Sequence, residues 1–459
     1  MTKPQIVWLR RDLRIEDQAA LRAAAEAGPV IPVFVLDDET PGERRLGSAS
    51  RWWLHGSLQE LGDALNARGS RLILRRGSAA QVVSLLADEV GAGAIHTIRH
   101  YEPWWVKAEQ DIAKRVDLVL HDGNYLLPPG CVVTGAGTPY RIFTPFYRAA
   151  MAHMPPPAPT SAPHFHAPAR WPASDRLDDW KLRPTRPDWA TGFVEVWTPG
   201  EAGATERLKD FLDVAAEYET TRNLPSQEGS SRLSPHLHWG EISPATVWHA
   251  LDGRQGKGSE SFRSELFWRD FAQNVITQFP DYPDRSFRPE FEKFRWRDPA
   301  KDENAKADLK AWRQGRTGYP IVDAGMRQLW RTGWMHNRVR MIAASFLIKH
   351  LLIDWRSGER WFWDTLVDAD YGNNATNWQW VSGSGVDAAL FTRIMAPLTQ
   401  SAKFDAAEYI REWVPELADL TDEDIHDPPN RPRGYPDQLI GHREARERAL
   451  SGYRAMKAS

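Results

Sequence analysis

Four stretches of the chain combine residue types that could carry out chemistry. The first is a run of small and hydroxyl residues that begins at Gly229 and continues as Ser230-Ser231-Arg232-Leu233-Ser234. Hydroxyl groups and backbone amides at the start of a helix can cradle a phosphate, because the helix dipole and the unpaired N–H groups favour an anion. The same residue types also form ordinary helix caps. The run therefore predicts either a phosphate site or a capping loop.

The second stretch, Trp334–Met341, places an amide, a cation and a thioether on one predicted helix. Asn337, Arg340 and Met341 are three and four positions apart, so they share a helix face. Arg338 is expected to point elsewhere. The alternative interpretation is a packed helix with a buried ion pair.

The third stretch, Asp368–Trp380, begins with two carboxylates at Asp368 and Asp370 and continues with several asparagines. Such a sequence could suggest calcium, but the glutamate that closes a calcium-binding loop is missing. We therefore predict no metal site.

The fourth stretch is Glu265–Asp270, in which Glu265 and Trp268 share a helix face at a spacing of three. The alternative is a solvent-facing pair of Glu265 with Arg269 and a tryptophan in the core. Such a surface pair would contribute little to stability.

The elements that must position these stretches follow from hydrophobic periodicity. In the first 125 residues, short apolar runs alternate with amphipathic stretches, which indicates parallel strands joined by helices. The predicted strands are Ile6–Leu9, Val30–Leu36, Leu72–Leu74, Ala94–Ile98 and Leu118–Leu120, and the predicted helices include Ser48–Arg68, Ala79–Glu89 and Trp105–Arg115. We therefore predict an α/β domain with a doubly wound parallel sheet over residues 1–128.

A linker and a helical domain are expected to follow. Residues 154–172 are rich in proline and cannot form a helix or a central strand, so we assign residues 129–200 to a long linker. Residues 201–459 show helical periodicity and are predicted to form an all-helical domain. The predicted helices there are Ala204–Tyr218, Ser259–Gln278, Ala305–Gln314, Ile321–Arg331, Asn337–Trp355 and Glu359–Val367.

Composition narrows the class of protein. The chain has 459 residues, a formal net charge of −3 and one cysteine, Cys131. One cysteine excludes an internal disulfide and an all-cysteine metal site, which is typical of a reducing compartment. The sequence has no run of about 18 apolar residues and no apolar N-terminal signal stretch. We expect a cytoplasmic monomer without a membrane span. The charge does not indicate nucleic-acid binding, although basic residues can gather on one face.

Several shorter motifs accompany the four stretches in a fixed order. In chain order they are Trp8-Leu9-Arg10-Arg11-Asp12-Leu13-Arg14, Leu127-Pro128-Pro129-Gly130, Phe143-Thr144-Pro145-Phe146, Gly318-Tyr319-Pro320-Ile321-Val322-Asp323-Ala324, Trp334–Met341 and Lys403-Phe404-Asp405. Over nearly the whole chain, these motifs resemble the photolyase/cryptochrome family, and most of all its bacterial class I members that repair cyclobutane pyrimidine dimers. The resemblance implies an α/β domain linked to a helical FAD-binding domain. It also implies light-driven repair of DNA by electron transfer from excited, reduced FAD.

The resemblance assigns cofactor contacts by matching position. It implies that the phosphates and ribityl chain of FAD meet Tyr218, Ser230, Ser231, Arg232, Leu233 and Ser234, and that the ring system is surrounded by Asn337, Arg340, Asp368 and Asp370. Asp368 and Arg340 are expected to pair, because burying either charge alone would be costly. Asn374 falls where the family places the residue that faces flavin N5. An amide there is typical of photolyases, and an aspartate is typical of plant cryptochromes.

The resemblance also assigns substrate contacts and an electron path. The dimer must leave the duplex to reach the flavin. The implied aromatic walls for it are Trp268 and Trp380, and the implied catalytic contacts are Glu265, Asn337 and Met341. Burial would raise the pKa of Glu265 and suit it to hydrogen-bond the dimer. The candidates for phosphate contacts are Arg222, Arg269, Arg338, Arg393 and Lys403, and the implied electron-transfer chain is Trp296, Trp355 and Trp378.

One departure from the family concerns the antenna chromophore. Folate-binding bacterial members carry an Asn-Glu pair in the loop after the fourth strand, where this chain has Trp104 and Trp105. Two indoles remove the polar contacts, so we do not expect a folate antenna. A deazaflavin antenna, or none, is left open.

Three other functions compete with dimer repair. A cryptochrome photoreceptor shares the fold, but Asn374 and Glu265 favour repair, and the end of the chain at Ser459 leaves no long signalling tail. A (6-4) photolyase would want a histidine pair near the dimer, whereas positions 337 and 341 are Asn and Met. A simple flavin electron carrier would not need Trp268 and Trp380.

Overall fold

The structure is a computed structural model that describes residues 2–254, 256–432 and 434–458. The chain divides into two compact units. The first comprises the residues up to Tyr140 together with Thr144–Asp213 and Ser231–Pro280, and the second comprises Arg141–Phe143, Val214–Ser230 and the residues from Asp281 onward. A compact unit and a family domain are different divisions of a chain. The domain boundaries at residues 128 and 200 therefore stay a prediction.

A parallel five-stranded sheet forms the centre of the first unit. Its strands are β1 (Gln5–Leu9), β2 (Val30–Leu36), β3 (Ile73–Arg76), β4 (Ala94–Ile98) and β5 (Leu118–His121). They are arranged in the order β3-β2-β1-β4-β5, with every neighbouring pair parallel. Each of the predicted strands is present, because runs of β-branched and aliphatic residues suit strands that are buried on both faces.

Helices cover the sheet and complete the first unit. The helices between and after the strands are α1 (Ala19–Ala27), α2 (Ser48–Asn66), α3 (Ala79–Val90), α4 (Pro103–Ala113), α5 (Phe143–Met151) and α6 (Glu201–Val214). One core cluster joins Ile6 and Trp8 of β1 to Val83 of α3 and Ile112 of α4. Helix α1 contacts β1 and β4 outside that cluster, so the sheet is covered on both faces. The predicted doubly wound sheet is confirmed.

The part of the chain from Tyr218 onward is mostly helical. Its helices are α7 (Tyr218–Thr221), α8 (Ser234–Trp239), α9 (Pro244–Ala250), α10 (Lys257–Gln278), α11 (Glu303–Arg313), α12 (Pro320–Thr332), α13 (Asn337–Ser345), α14 (Trp355–Thr365), α15 (Tyr371–Ser382), α16 (Pro397–Lys403), α17 (Ala407–Trp413) and α18 (His442–Ala458). Helices α7 and α11–α18 lie in the second unit, and α8–α10 lie in the first. The predicted all-helical character of the C-terminal part is confirmed.

Two predicted helices are wrong in their length. The stretch Ala204–Tyr218 is interrupted, because α6 ends at Val214 and a 3₁₀ turn at Ala215–Glu217 separates it from α7. The stretch Asn337–Trp355 is not continuous, because α13 ends at Ser345 and a π turn follows at Phe346–His350. Leu352 then takes a left-handed backbone conformation with φ 53°, which ends helical geometry, and Trp355 begins α14. Periodicity misses such breaks, since a π turn shifts the helical phase without changing the residue types.

Candidate functional site

The run Ser231–Ser234, in the first unit, forms a tight turn that leads into α8. Arg232 has a left-handed backbone with φ 50°, and Leu233 returns to the right-handed region with φ −80° and ψ −7°. The amide of Leu233 donates to Oγ of Ser231 at 3.3 Å. Neighbouring left- and right-handed residues point their amides into one concavity, which suits an anion. Of the two sequence interpretations, this geometry favours the phosphate site.

The residues that precede this turn belong to the second unit. A Cβ added to Gly229 would lie 2.3 Å from Cβ of Thr221, so this close approach requires glycine. Tyr218 begins α7 and is buried, and the guanidinium of Arg222 lies 5.3 Å from the centre of its ring. Ser230 is half-buried beside Gly229.

The predicted pair of Arg340 and Asp368 is present in the second unit. Nη1 and Nη2 of Arg340 donate to the two carboxylate oxygens of Asp368 at 3.2 and 2.9 Å. Nε of Arg340 donates to the carbonyl of Met335 at 2.7 Å, which fixes the guanidinium plane. Two parallel hydrogen bonds are the strong form of an ion pair between an arginine and a carboxylate. The pair joins α13 to the loop before α15.

Asn374 is held by a residue that the sequence did not single out. Its Nδ2 donates to the backbone carbonyl of Glu359 at 3.0 Å and to Oε1 of Glu359 at 2.9 Å. Glu359 is fully buried on α14. It occupies the apolar face of that helix, four positions from Trp355 and Trp363. A carboxylate on a buried helix face was therefore a signal available in the sequence.

Asp370 has a local structural role. It is the N-cap of α15 and accepts hydrogen bonds from the backbone amide of Asn373 at 2.7 Å and from Nδ2 of Asn373 at 2.9 Å. Capping of this kind fixes where the helix begins. Asp370 therefore sets the start of the helix that carries Asn374, Trp378 and Trp380.

Two arginines of the second unit lie close enough to a third, Arg338, to influence its charge. Burial and the charges of Arg222 and Arg393 lower the pKa of Arg338. Arg338 also bonds Oδ1 of Asn223 and lies 4.5 Å from the centre of the Phe404 ring. Such a group of cations favours a bound phosphate, because an anion relieves their mutual repulsion.

Lys403 completes this basic surface. Its Nζ lies 5.5 Å from the centre of the Phe404 ring, which Arg338 also contacts. Nη1 of Arg338 lies 3.8 Å from the sulfur of Met341. The expectation that Arg338 points away from that helix face is therefore wrong, because residues three apart on a helix are neighbours. Asn337 is exposed at the start of α13.

The four tryptophans assigned to the second unit differ in burial. Trp378 and Trp355 are buried, whereas Trp296 and Trp380 are half-buried. Trp378 packs 5.0 Å from Phe362 and 6.3 Å from Trp312, measured between ring centres. Trp296 lies 4.2 Å from the ring of Phe294. The proposed electron-transfer series of Trp296, Trp355 and Trp378 thus has one accessible and two buried indoles, which is compatible with electron transfer from the surface.

In the first unit, α10 presents the other proposed dimer contacts. Glu265 and Trp268 are both half-buried, and Trp268 packs 5.8 Å from Phe271 on the same helix. Arg269 donates to the backbone carbonyls of Asn124 and Leu237, and its guanidinium lies 4.4 Å from the Tyr125 ring. Its donors are largely used within the unit, which favours a structural role over a phosphate contact.

Sequence reasoning missed the next residue of α10. Asp270 is fully buried and accepts a hydrogen bond from the amide of Leu127 at 2.9 Å, and Oδ1 of Asn274 accepts one from Gly130 at 3.1 Å. Burial raises the pKa of Asp270 to about 7, against the lowering effect of the Leu127 amide and of Arg269. The motif Leu127–Gly130 is thus shaped by two side chains of α10.

The opening motif of the chain is structural in the first unit. Nη2 of Arg10 donates to Oε1 of Glu109 at 2.7 Å and to the carbonyl of Ile98 at 2.6 Å. Arg10 is buried at the carboxyl end of β1, beside the point where strand order reverses and ligands of such sheets bind. Trp105 packs edge-on against Trp8 at 5.8 Å. Folate exclusion by Trp104 and Trp105 stays a prediction.

Two further searches cover the described residues only. Within residues 2–254, 256–432 and 434–458, no three His, Cys, Asp or Glu side chains are grouped to hold a metal ion. Over the same residues, no helix is both long enough and apolar enough to cross a membrane.

Comparison with known proteins gives consistent results along the chain. The family model for DNA photolyase matches residues 5–164, and that for the FAD binding domain of DNA photolyase matches residues 262–455. The deoxyribodipyrimidine photo-lyase of Agrobacterium fabrum is 46% identical over 99% of this chain and 98% of its own. Cryptochrome-2 of Arabidopsis thaliana is 35% identical over 94% of this chain and 74% of its own.

Among solved structures, a bacterial class III photolyase from Agrobacterium tumefaciens superposes with a TM-score of 0.94. It is 46% identical, and the match covers 100% of this chain and 98% of that chain. The class I assignment made from the motifs stays a prediction.

Proposed function

The chain belongs to the photolyase/cryptochrome family, and from that premise we propose that it is a deoxyribodipyrimidine photo-lyase, which uses light to split cyclobutane pyrimidine dimers in DNA. The observation that carries this proposal is its 46% identity, over nearly the full length of both chains, to a relative of that name. The enzyme is a lyase, and its substrate is UV-damaged DNA. We further propose that it acts as a cytoplasmic monomer on a dimer flipped out of the duplex.

Each unit, taken by itself, has residues that suit a part of FAD. The turn at Arg232 and Leu233 has the paired left- and right-handed backbone that suits an anion, and the paired Arg340 and Asp368 offer a neutral polar surface to a ring system. Bound FAD would supply, when reduced and excited by light, the electron that splits the dimer. Tyr218, Ser230, Ser231 and Ser234 are the further proposed contacts for its phosphates and ribityl chain.

Asn374 supports a photolyase-type role. Both acceptors of Glu359 take its amide hydrogens, so its Oδ1 is the atom left to face the cofactor. A carbonyl oxygen accepts a hydrogen bond and carries no charge that could repel an electron-rich ring. An aspartate at this position would add a negative charge.

The dimer contacts are proposed on each unit separately. In the first unit, Trp268 would stack on the dimer, and Glu265 would donate a hydrogen bond to a pyrimidine carbonyl if it is protonated. In the second unit, Trp380, Asn337 and Met341 would supply an aromatic wall, an amide and a soft apolar contact. Such groups bind the dimer and exclude water from the reacting bonds.

Phosphate binding is proposed for the basic surface of the second unit, formed by Arg222, Arg338, Arg393 and Lys403. The proposal is supported by the closeness of Arg222 and Arg393 to Arg338, since their charges act together with burial to lower the pKa of Arg338. Trp296, Trp355 and Trp378 are proposed to pass electrons to the flavin from the surface. These tryptophans would act in activation and not in repair itself.

Repair of UV-irradiated oligothymidine tests the function. The purified chain is supplied with FAD, the flavin is reduced chemically, and the mixture is illuminated with blue light beside a dark control. We expect absorbance of restored thymines to return in the light and not in the dark. No return in the light, with reduced flavin verified by its spectrum, would contradict the proposal.

A cryptochrome function is the second candidate, and the similarity to Arabidopsis cryptochrome-2 is the observation that favours it. A photoreceptor would show photoreduction without repair in the same assay. An oligonucleotide with a (6-4) photoproduct in a parallel reaction tests the third candidate, which we expect to be left unrepaired.

A further inference from the structure

A lysine is buried in the π turn that interrupts the predicted helix after Ser345. Lys349 is 2% exposed, and its Nζ donates to the backbone carbonyl of Arg393 at 2.8 Å. The same ammonium lies 5.5 Å from the centre of the Phe391 ring. Residues at π turns are often functional, because the extra residue redirects side chains from the helical register. Here the redirected side chain reaches a surface turn that carries a proposed phosphate ligand.

That turn runs from Leu390 to Arg393 and is closed by a hydrogen bond from the Arg393 amide to the Leu390 carbonyl at 2.9 Å. Phe391 is buried, whereas Leu390 is 68% exposed and Arg393 is also exposed. The Phe391 ring stacks on Tyr453 at 5.0 Å and contacts Phe294 at 5.3 Å. The turn is therefore fastened from inside, by an aromatic anchor and by Lys349, and presents Arg393 to the outside.

The charges around Lys349 make this contact sensitive to an anion. Burial, together with the charge of Arg393, lowers the pKa of Lys349 to about 7. Among the described residues, no carboxylate lies within ion-pair distance of its ammonium. A phosphate bound by Arg393 would offset the repulsion and favour the protonated lysine.

Several other titratable groups lie near the turn. His350 follows Lys349, and burial and the neighbouring His442 of α18 lower its pKa to about 3. Burial and Arg446 also lower the pKa of His442 below its usual value. Arg448 of α18 donates to the carbonyl of His350, and burial lowers its pKa. Tyr453, also on α18, meets the turn only through Phe391. Burial and Arg393 bring the pKa of Lys349, by contrast, to about 7.

We propose that Lys349 is a positioning residue for DNA binding: its ammonium holds the Leu390–Arg393 turn so that Arg393 meets a substrate phosphate, and that phosphate in turn stabilises the ammonium. The proposal rests on the proposed function, since it needs DNA as the ligand of Arg393. It predicts that DNA binding takes up a proton. The affinity for DNA is therefore undiminished at pH values below about 7, where Lys349 is already protonated in the free protein. It falls as the pH rises further, because the free protein then loses the proton that the DNA complex keeps.

Three variants separate charge from packing. Lys349→Met keeps the length of the side chain and removes the charge, Lys349→Arg keeps the charge at all pH values, and Lys306→Met removes an exposed charge on α11 as the matched control. Affinity for a dimer-containing duplex is measured at pH 6.5, 7.5 and 8.5 and at one salt concentration, because phosphate contacts depend on salt. FAD content and flavin photoreduction verify that each variant is folded.

We expect the wild type and Lys306→Met to weaken as the pH rises, by up to about tenfold per unit for one proton. Lys349→Met should bind about tenfold more weakly than the wild type at pH 6.5, on the scale of one charge-assisted hydrogen bond, and show no dependence on pH. Lys349→Arg should bind tightly at every pH. Two outcomes would overturn the proposal. One is that Lys349→Met binds with the affinity and the pH dependence of the wild type, and the other is that Lys349→Arg binds as weakly as Lys349→Met.

A second measurement needs no variant. Calorimetric titration of the wild type with the same duplex at pH 7.5, in two buffers of different ionisation enthalpy, gives the number of protons taken up on binding. A value clearly above zero supports the proposal, and zero uptake overturns it. A wild type that binds dimer-containing and undamaged duplexes equally and repairs neither would instead contradict the proposed function, and proton uptake on the undamaged duplex would still test Lys349.

Discussion

Asn374 donates both of its amide hydrogens to Glu359, one to the backbone carbonyl at 3.0 Å and one to the carboxylate at 2.9 Å. Both partners are acceptors only, so the amide cannot be turned over without placing its oxygen against two other oxygens. The two residues are 15 positions apart, on α14 and α15. Glu359 therefore fixes the direction in which the Asn374 carbonyl points.

We expect Glu359→Ala to lower the free energy of unfolding by about 1–3 kcal/mol, because one of the two buried amide hydrogens of Asn374 then loses its acceptor. The midpoint potential of bound flavin should also fall, since an amide held only by the backbone carbonyl of residue 359 directs its oxygen less firmly at the protonated N5 of the reduced ring. Glu359→Gln keeps an acceptor and should change both quantities less. Denaturant titration and spectroelectrochemistry measure them, and an unchanged potential in Glu359→Ala would show that Asn374 is oriented by other contacts.

Trp378→Phe should block photoreduction of oxidised flavin while repair by chemically reduced enzyme is kept. A phenylalanine can still pack against Phe362, but it cannot be oxidised as readily as an indole. Trp312→Phe is the matched control, because Trp312 is a buried neighbour of Trp378 outside the proposed chain. Transient absorption under blue light measures both variants. Equal loss of photoreduction in the two would point to a packing defect.

Trp268→Ala should weaken binding to dimer-containing DNA by roughly 1–3 kcal/mol, the scale of base stacking on an aromatic side chain. Binding to undamaged DNA rests on phosphate contacts and should barely change. Trp268→Phe retains a ring, so its affinity for dimer-containing DNA should lie between those of the wild type and Trp268→Ala. Titrations with both duplexes at one salt concentration make the comparison. Equal weakening for both duplexes would mean that Trp268 is structural.

Glu265→Ala should mainly lower the yield of repair per absorbed photon, because its proposed role is to stabilise charge on the dimer after electron transfer. Glu265→Gln can still donate a hydrogen bond and should keep more of the yield. The quantum yield is measured on fully bound complexes, so that any loss of affinity is excluded from the result. If Glu265→Ala showed a normal quantum yield and only a weaker affinity for dimer-containing DNA, Glu265 would be a binding contact without a role in the reaction.

The stability of the first unit should depend on pH through His249. Its Nδ1 lies 3.0 Å from Oδ2 of Asp252 and its Nε2 lies 2.9 Å from the carbonyl of Pro156, so the ring satisfies both acceptors only when it is doubly protonated. Burial lowers the pKa of His249, but the Pro156 carbonyl and Asp252 outweigh that effect and the net pKa is raised. A raised pKa stabilises the folded state below the unfolded value, about 6.5, and this contribution is lost as the pH rises through the folded value.

The measurement is the urea midpoint of the wild type and of His249→Gln at pH 5.5 and 8.5. The difference between the two proteins should be larger at pH 5.5, because the imidazolium then holds the proline-rich segment 154–172 to α9. A difference that is independent of pH would mean that His249 contributes only as a neutral ring.

The sequence by itself determined the fold class and the family. Alternating apolar runs and amphipathic stretches identified each strand of the sheet, because burial on two faces and burial on one face leave different periodicities. The order of the motifs identified the family, and the resemblance anticipated the pair of Arg340 and Asp368. The phosphate cradle at Ser231–Ser234 was one of two interpretations, and the structure supplied the left-handed residue that favours it.

Only the tertiary structure decided which distant side chains hold the site in place. Glu359 orients Asn374, Asp270 holds a loop 143 residues away at Leu127, and Lys349 reaches the carbonyl of Arg393. Periodicity can report that a charged residue such as Glu359 is buried, but it does not report the hydrogen-bond partner of that residue. The partner depends on how separate helices and loops pack, and on breaks such as the π turn at Phe346–His350, which redirects Lys349 without leaving a signal in residue type.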